Sequence, residues 1–146
     1  MDNKDHALAF LLKKEDIEAI CGSAPIGGKS LLEPLKSKAS DHGLPFKILE
    51  DHRVINEAEV HVDQGDLWYC LEGNSIFIYG GAMVEPRVKV RKDGTEDKTE
   101  LFAKEISGGT TVILKPGDWL WIPAGEPHQH SCPDTARLMI IKIPVK

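Results

Sequence analysis

The chain has 146 residues, of which 41% are hydrophobic and 28% are charged, and its formal net charge is −5. This length suits one domain with its own buried core, and the composition argues against a disordered chain. The negative charge argues against a nucleic-acid partner, and no apolar run approaches the roughly 20 residues of a membrane-spanning helix. We therefore expect a globular protein with neither nucleic acid nor membrane as a partner.

Three cysteines lie far apart in the sequence, at Cys21, Cys70 and Cys132. Their odd number and the lack of a Cys-x-x-Cys pair do not form a disulfide framework, which favours a reducing compartment. Charged residues interrupt the apolar stretch near the N-terminus too early for a signal peptide. These features predict a cytoplasmic protein.

The first part of the chain differs from the rest. Leu12–Cys21 mixes apolar and charged residues and is followed by Gly22, which predicts a short helix that ends at a glycine. Residues 22–45 are rich in Gly, Ser, Pro and Lys, and we interpret them as a loop or arm. This divides the chain into an N-terminal helix and arm, residues 1–45, and a β-barrel domain, residues 46–146.

The arm contains a partial match to a phosphate-binding loop at residues 27–30, Gly-Gly-Lys-Ser. That motif needs another glycine five residues before Gly28, where this chain has Ser23. It must also follow a buried strand and open a helix, whereas a charged helical segment precedes it here. We therefore interpret the segment as a flexible loop and not as a nucleotide site.

From Phe46 onward, short runs of β-forming residues alternate with turn residues. Many short strands at close and regular spacing predict an all-β fold, as an antiparallel sandwich or a closed barrel. The predicted strands are Phe46–Leu49, Arg53–Ile55, Ala58–Val62, Leu67–Leu71, Ser75–Tyr79, Arg87–Arg91, Glu100–Ile106, Thr110–Leu114, Trp119–Ile122, His128–Ser131 and Arg137–Ile143.

Two carboxylates and an imidazole are predicted to converge on one hairpin. Glu59 and His61 lie two residues apart on a predicted strand, so their side chains point to the same face. A turn at Gln64-Gly65 would return the chain as an antiparallel strand that begins at Asp66. Asp66 would then face His61.

A second segment supplies a fourth donor. Residues 116 and 117 form a Pro-Gly turn, a strand follows, and the chain turns again before His128. His130 lies two residues further on and shares the face of His128. The two segments together therefore offer two imidazoles and up to two carboxylates.

The spacing within both segments follows a known pattern. In the first, four residues separate His61 from Asp66, and six separate Asp66 from Gly73. In the second, Gly117 is followed after five residues by Pro-Ala-Gly, and then after two residues by His128. The chain thus resembles the cupin superfamily, and its motif pattern is most similar to that of small single-domain bacterial members. The resemblance implies a double-stranded β-helix, or jelly-roll, barrel with a short N-terminal helix.

The resemblance also implies one divalent metal bound by Glu59, His61, Asp66 and His128. Glu59 stands where cupins usually have their first His, Asp66 replaces the usual Glu, and Cys132 replaces a final Asn. Two imidazoles with one or two carboxylates suit Fe(II), Mn(II), Ni(II) or Zn(II), whereas a structural zinc site often uses thiolates.

Each candidate residue also has a structural interpretation. Glu59 would be a surface carboxylate, and His61 a buried hydrogen-bonded imidazole. Asp66 would orient His61 or cap a turn. His130, our candidate acid/base residue, would simply line the barrel. For the remaining residues we adopt the structural interpretation. Cys70 is a core thiol, and the three tryptophans form core or cavity wall. Solvated imidazoles are predicted at His6, His42 and His52.

Three functions follow from these alternatives. The first is a metal-dependent enzyme of oxygenase, isomerase or lyase type that acts on a small polar organic molecule. The second is a non-catalytic module that binds a small molecule or metal, and the third is a metal-free structural barrel. The resemblance further implies a homodimer, and it suggests that residues 81–109 form an extended hairpin that serves as a lid or a subunit contact.

Overall fold

The computed structural model describes residues 9–145. Two helices and twelve strands follow one another along this part of the chain. The helices are α1 (Lys14–Cys21) and α2 (Leu35–His42). The strands are β1 (Gly28–Leu31), β2 (Phe46–Ile55), β3 (Ala58–His61), β4 (Gln64–Glu72), β5 (Ser75–Tyr79), β6 (Ala82–Met83), β7 (Arg87–Val90), β8 (Glu96–Ala103), β9 (Ile106–Ser107), β10 (Thr110–Leu114), β11 (Trp119–Ile122) and β12 (His128–Pro144).

The long strand β12 joins two halves of one antiparallel sheet. Its later part lies between β2 and β4, which gives the order β1-β2-β12-β4-β11. Its first residues pair with β3 and β5, which gives the order β7-β8-β3-β12-β5-β10. The register of β12 against β2 shifts between Cys132 and Thr135, where the ladder is irregular. The sheet curls on itself, which confirms the predicted all-β jelly-roll barrel.

The barrel interior follows the two-residue alternation of its strands. On β4, Asp66, Trp68 and Cys70 are buried, whereas the residues between them are only half-buried. Trp68 and Cys70 belong to an apolar core with Phe77 and Leu138. The aromatic prediction for Trp68 is therefore confirmed.

A second apolar cluster lies outside the sheet, under the helices. Ile20 of α1 and Leu35 of α2 are buried with Ile48 of β2. The predicted N-terminal helix is confirmed, with Gly22 as its C-cap residue. The prediction of a loop over residues 22–45 is wrong in part, because this segment contains β1 and α2. Residues 28–30, interpreted as a flexible loop, pair with β2 as an edge strand. The division of the chain at residue 45 stays a prediction.

One buried arginine ties the N-terminal segment to the sheet. Arg137 Nε donates to Glu50 at 2.8 Å, and both side chains are buried. Its guanidinium also donates to Glu72 at 2.7 Å and to the carbonyl of Ser23 at 2.6 Å, and it contacts the carbonyl of Cys21. The last turn of α1 is therefore fixed against β2 and β12.

The outer face of β11 is aromatic and exposed. Trp119 and Trp121 are 59% and 49% exposed, so the prediction that they form core or cavity wall is wrong. Trp119 packs against Tyr69 of β4, with ring centroids 4.4 Å apart. Trp121 lies over Gly65, where an added Cβ would be 2.3 Å from the indole. Gly65 thus permits this close approach from within β4, where a turn was predicted.

Within residues 9–145, neither helix has the length and apolar character needed to cross a membrane.

Candidate metal centre

Three strands position the predicted metal ligands. Glu59 and His61 lie on β3, which turns at residues 62 and 63, slightly earlier than predicted, into β4 with Asp66. His128 opens β12, where its Cα is paired with that of Glu59. The side chains of His61, Asp66 and His128 are buried at the inner face of the barrel.

Glu59, His61 and His128 converge on one point. Each offers one ligand atom, and these three atoms lie within 4.8 Å of one another. Glu59 Oε2 is 3.2 Å from His61 Nε2 and 4.0 Å from His128 Nε2. Two imidazoles and a carboxylate so placed form a cluster able to hold a divalent transition metal.

Asp66 lies against the same two imidazoles. Its Oδ2 is 3.5 Å from His61 Nε2 and 3.3 Å from His128 Nε2, while its Oδ1 accepts a hydrogen bond from Lys142 at 2.7 Å. This position suits a fourth ligand, and it equally suits a group that orients the imidazoles. The ligand role of Asp66 therefore stays a prediction.

Buried polar atoms at the cluster lack hydrogen-bond partners. Within the described residues, this holds for Nε2 of His61, Nε2 of His128 and Oδ2 of Asp66. A buried polar atom without a partner is costly, because its hydration is lost and not replaced. A divalent cation would compensate all three atoms at once, so the side chains fit the metal that the sequence predicts.

Both carboxylates favour the ionised form. Burial opposes ionisation of Glu59, but His61 and Lys29, whose Nζ is 3.0 Å away, hold its pKa well below the usual value. Burial likewise opposes ionisation of Asp66, but His128 and Lys142 lower its pKa. Anionic carboxylates are the form that binds a cation.

A backbone oxygen fixes the orientation of the His128 imidazole. His128 Nδ1 lies 3.1 Å from the carbonyl oxygen of Glu126. Because a carbonyl only accepts, Nδ1 carries the proton and Nε2 keeps its lone pair toward the cluster. His61 Nδ1 lies 3.2 Å from a carboxylate oxygen of Glu100 on β8, but the two groups do not form a hydrogen bond in this structure.

The candidate acid/base residue His130 is held in a separate buried network. Its Nδ1 lies 2.5 Å from Asp51 Oδ2 and 3.0 Å from Asn56 Nδ2. Its ring packs against Trp68 and Phe77, with centroids 5.1 and 5.4 Å away. Because a carboxylate accepts, the contact with Asp51 places a proton on Nδ1 of His130. Its catalytic role stays a prediction.

A cavity of about 420 Å³ adjoins the cluster. Glu59, His61, Trp68 and His130 line it. The predicted hairpin in residues 81–109 is confirmed as β7 and β8, and it contributes further wall residues. The role of this hairpin as a lid or subunit contact stays a prediction.

Sequence reasoning missed several residues of this site. Lys29 was assigned to a flexible loop, yet its Nζ contacts Glu59. Lys142 and Glu100 contact Asp66 and His61. Strand alternation places Lys142 on the inner face with buried Ile140, which is a signal that could have identified it. Two further imidazoles lie outside the cluster, since His42 packs on Phe10 and His52 contacts Thr135. His6 lies outside the described residues.

Cys70 is a core thiol, as predicted, and is fully buried. Its sulfur donates to the carbonyls of Glu72 and Gly73, and burial raises its pKa to about 11. Cys132 is also buried, with a raised pKa. We therefore predict that iodoacetamide at pH 8 leaves both thiols unmodified in the folded protein and alkylates them in urea, as read by peptide mass spectrometry. Rapid native alkylation of Cys70 would contradict this placement.

The fold and the cluster define a small β-barrel protein with a buried histidine–carboxylate centre. No protein-family model matches the sequence. The protein TT1209 from Thermus thermophilus is similar in structure, with a TM-score of 0.52 at 16% identity, over 88% of this chain and 94% of that one. The cupin domain of Drosophila melanogaster CENP-C gives a TM-score of 0.44 at 12% identity, over 67% of this chain and 59% of that one.

An oxalate oxidase structure gives a TM-score of 0.48 at 11% identity, over 83% of this chain and 53% of that one. The curled sheet, its strand order and the two motifs that meet inside it give this chain the cupin fold, which confirms the resemblance seen in the sequence. At these identities the likeness concerns the fold alone.

The sequence comparison also found a match to a kinase. The chain is 35% identical over 79 residues to a thymidylate kinase of Prochlorococcus marinus, which is 52% of this chain and 34% of that protein. The chain thus spans about a third of the length of this relative. The Gly-Lys-Ser segment lies on strand β1 here, so it does not form a phosphate loop that opens a helix.

Proposed function

We propose that this chain binds one divalent transition metal through Glu59, His61 and His128, with Asp66 as a fourth ligand or as the group that orients them. The observation that carries the proposal is the convergence of buried, unpartnered donor atoms, Nε2 of His61 and Nε2 of His128, on carboxylate oxygens. Iron, manganese, nickel and zinc all suit this donor set.

We further propose that the protein is an enzyme that acts on a small polar organic molecule in the adjoining cavity. A bound metal would supply Lewis-acid or redox chemistry there. Glu59 and His61 line the cavity as well as the cluster, so a ligand in the cavity lies next to the proposed metal. An oxygenase, isomerase or lyase reaction fits this arrangement, with His130 as the residue that moves a proton.

The alternative is a non-catalytic module that binds a small molecule or the metal. The volume of the cavity argues against a module that binds the metal alone, because such a site needs no space for an organic ligand. The placement of His130 favours the enzyme, since this imidazole lines the cavity and its Nδ1 is held by Asp51.

The experiment is elemental analysis of the purified protein, followed by loading of the chelated protein with each of the four metals. The proposal expects about one metal per chain. The loaded forms are then incubated with a panel of small organic acids, sugars and alcohols, with dioxygen uptake and NMR of the products as readouts. Turnover that disappears on chelation and returns with one metal supports the enzyme. Stoichiometric metal without turnover supports the binding module, and absence of metal binding overturns the proposed metal site and the metal-dependent enzyme.

A further inference from the structure

Four lysines line the cavity beside the candidate metal centre. They come from β1, β2, β7 and β12. Among residues 9–145, two carboxylates line the same cavity, those of Glu59 and Glu100. Ligand cavities are mostly apolar with a few placed polar groups, so a concentration of one charge type bears on the choice of ligand. The lysines are Lys29, Lys47, Lys89 and Lys142.

Three of these lysines are neutralised by carboxylates. Lys29 lies 3.0 Å from Glu59, Lys89 lies 2.7 Å from Glu100, and Lys142 lies 2.7 Å from Asp66. These pairs account for every carboxylate that contacts His61. The acidic groups of the site are therefore already engaged.

Lys47 is different. It is half-buried on β2, and no carboxylate lies within ion-pair distance of it in the part of the chain that the structure describes. A charge facing a partly enclosed cavity is screened less than one at the surface, so it attracts an anion more strongly. Any divalent metal bound nearby would add to the positive charge.

The rest of the wall near Lys47 is apolar. Its Cα is paired with that of Ile140 on β12, and both residues line the cavity. Leu31, Leu49 and Phe102 also line it. The cavity thus combines one unpaired cation, an apolar wall and the proposed metal centre.

We propose that the cavity takes a small organic carboxylate, whose charged group is held by Lys47 and whose carbon chain lies against the apolar wall. The inference rests on the proposed function, since it names the class of molecule that the same cavity takes. Such a cavity would select anions over cations of equal size because of its positive charge. It would select carboxylates over alcohols because Lys47 donates a charge-assisted hydrogen bond.

The test uses three probes of matched size: butyrate, butanol and butylammonium. Binding is measured by ligand-observed NMR, with both the zinc-loaded and the chelated protein. We expect butyrate to bind at least about tenfold more tightly than butanol, which corresponds to one charge-assisted contact, and butylammonium to give no signal.

Two variants assign the effect to Lys47. Lys47→Met is expected to weaken butyrate binding about tenfold and to leave butanol binding unchanged, whereas Lys47→Arg retains butyrate. Lys36→Met, at an exposed position on α2, is the matched control and is expected to bind as the unaltered protein does. Circular dichroism and metal content of each variant establish that the fold and the metal centre are intact.

The inference is overturned if butyrate fails to bind at about 50 mM, a range far weaker than ordinary ligand affinities. It is also overturned if butanol binds as well as butyrate, or if Lys47→Met binds butyrate normally. The metal is tested separately: charge-selective binding that depends on Lys47 in a protein without metal affinity would retain this inference and reject the proposed metal site.

Discussion

His61→Ala and His128→Ala are each expected to reduce the metal content of the purified protein from about one per chain to near zero. Each substitution removes one of three or four ligands and leaves the remaining buried donors without a complete coordination set. Even residues that only orient ligands change metal affinity by about 10–100-fold, so loss of a ligand exceeds that range. Elemental analysis after gel filtration measures the effect.

The matched control is His52→Ala. His52 is a half-buried imidazole on β2 that contacts Thr135 and lies outside the cluster. This variant is expected to keep its metal, which separates ligand loss from the general effect of removing an imidazole. Stoichiometric metal in either His61→Ala or His128→Ala would reject the proposed ligand set.

Arg137→Met is expected to lower the free energy of unfolding by about 3–5 kcal/mol, the usual cost of removing one partner from a buried ion pair. Glu50 is fully buried and would lose the guanidinium that contacts it at 2.7 Å. The contacts to Glu72 and to the carbonyls of Cys21 and Ser23 would be lost too. Urea unfolding followed by tryptophan fluorescence measures the change.

A double variant, Glu50→Gln with Arg137→Met, serves as the control. It leaves no unpaired charge at the fully buried position 50, and only the half-exposed Glu72 loses its partner, so it is expected to be less destabilised than Arg137→Met alone. Glu72→Gln removes only a half-exposed partner and is expected to cost less than about 1 kcal/mol. A loss below about 1 kcal/mol in Arg137→Met would show that the buried pair contributes little to holding α1 against the sheet.

The sequence predicted the barrel and most of its strands, because the alternation of apolar and polar residues is a local property of each strand. It brought Glu59, His61 and Asp66 together for the same reason, since a tight hairpin joins them. The motif spacing then added His128 from a distant segment. The structure places all four side chains within a few ångströms of His61 or His128 Nε2.

The segment before Phe46 was harder to predict. Its Gly, Ser, Pro and Lys composition is typical of a loop, yet residues 28–31 pair with β2 and residues 35–42 form a helix. Both elements depend on contacts with the sheet: Leu35 and Ile48 pack together, and Arg137 fixes the end of α1. Local propensity carries no information on such contacts.

By itself, the sequence determined the all-β fold and the short N-terminal helix, because both follow from periodicity along the chain. The set of metal ligands was implied by the cupin resemblance and stays a prediction. Only the tertiary structure decided that Trp119 and Trp121 face outward, and that lysines from four strands surround one cavity. Alternation tells which residues share a face of a strand, but not which face meets the interior. That choice is made when distant strands pair and the sheet closes.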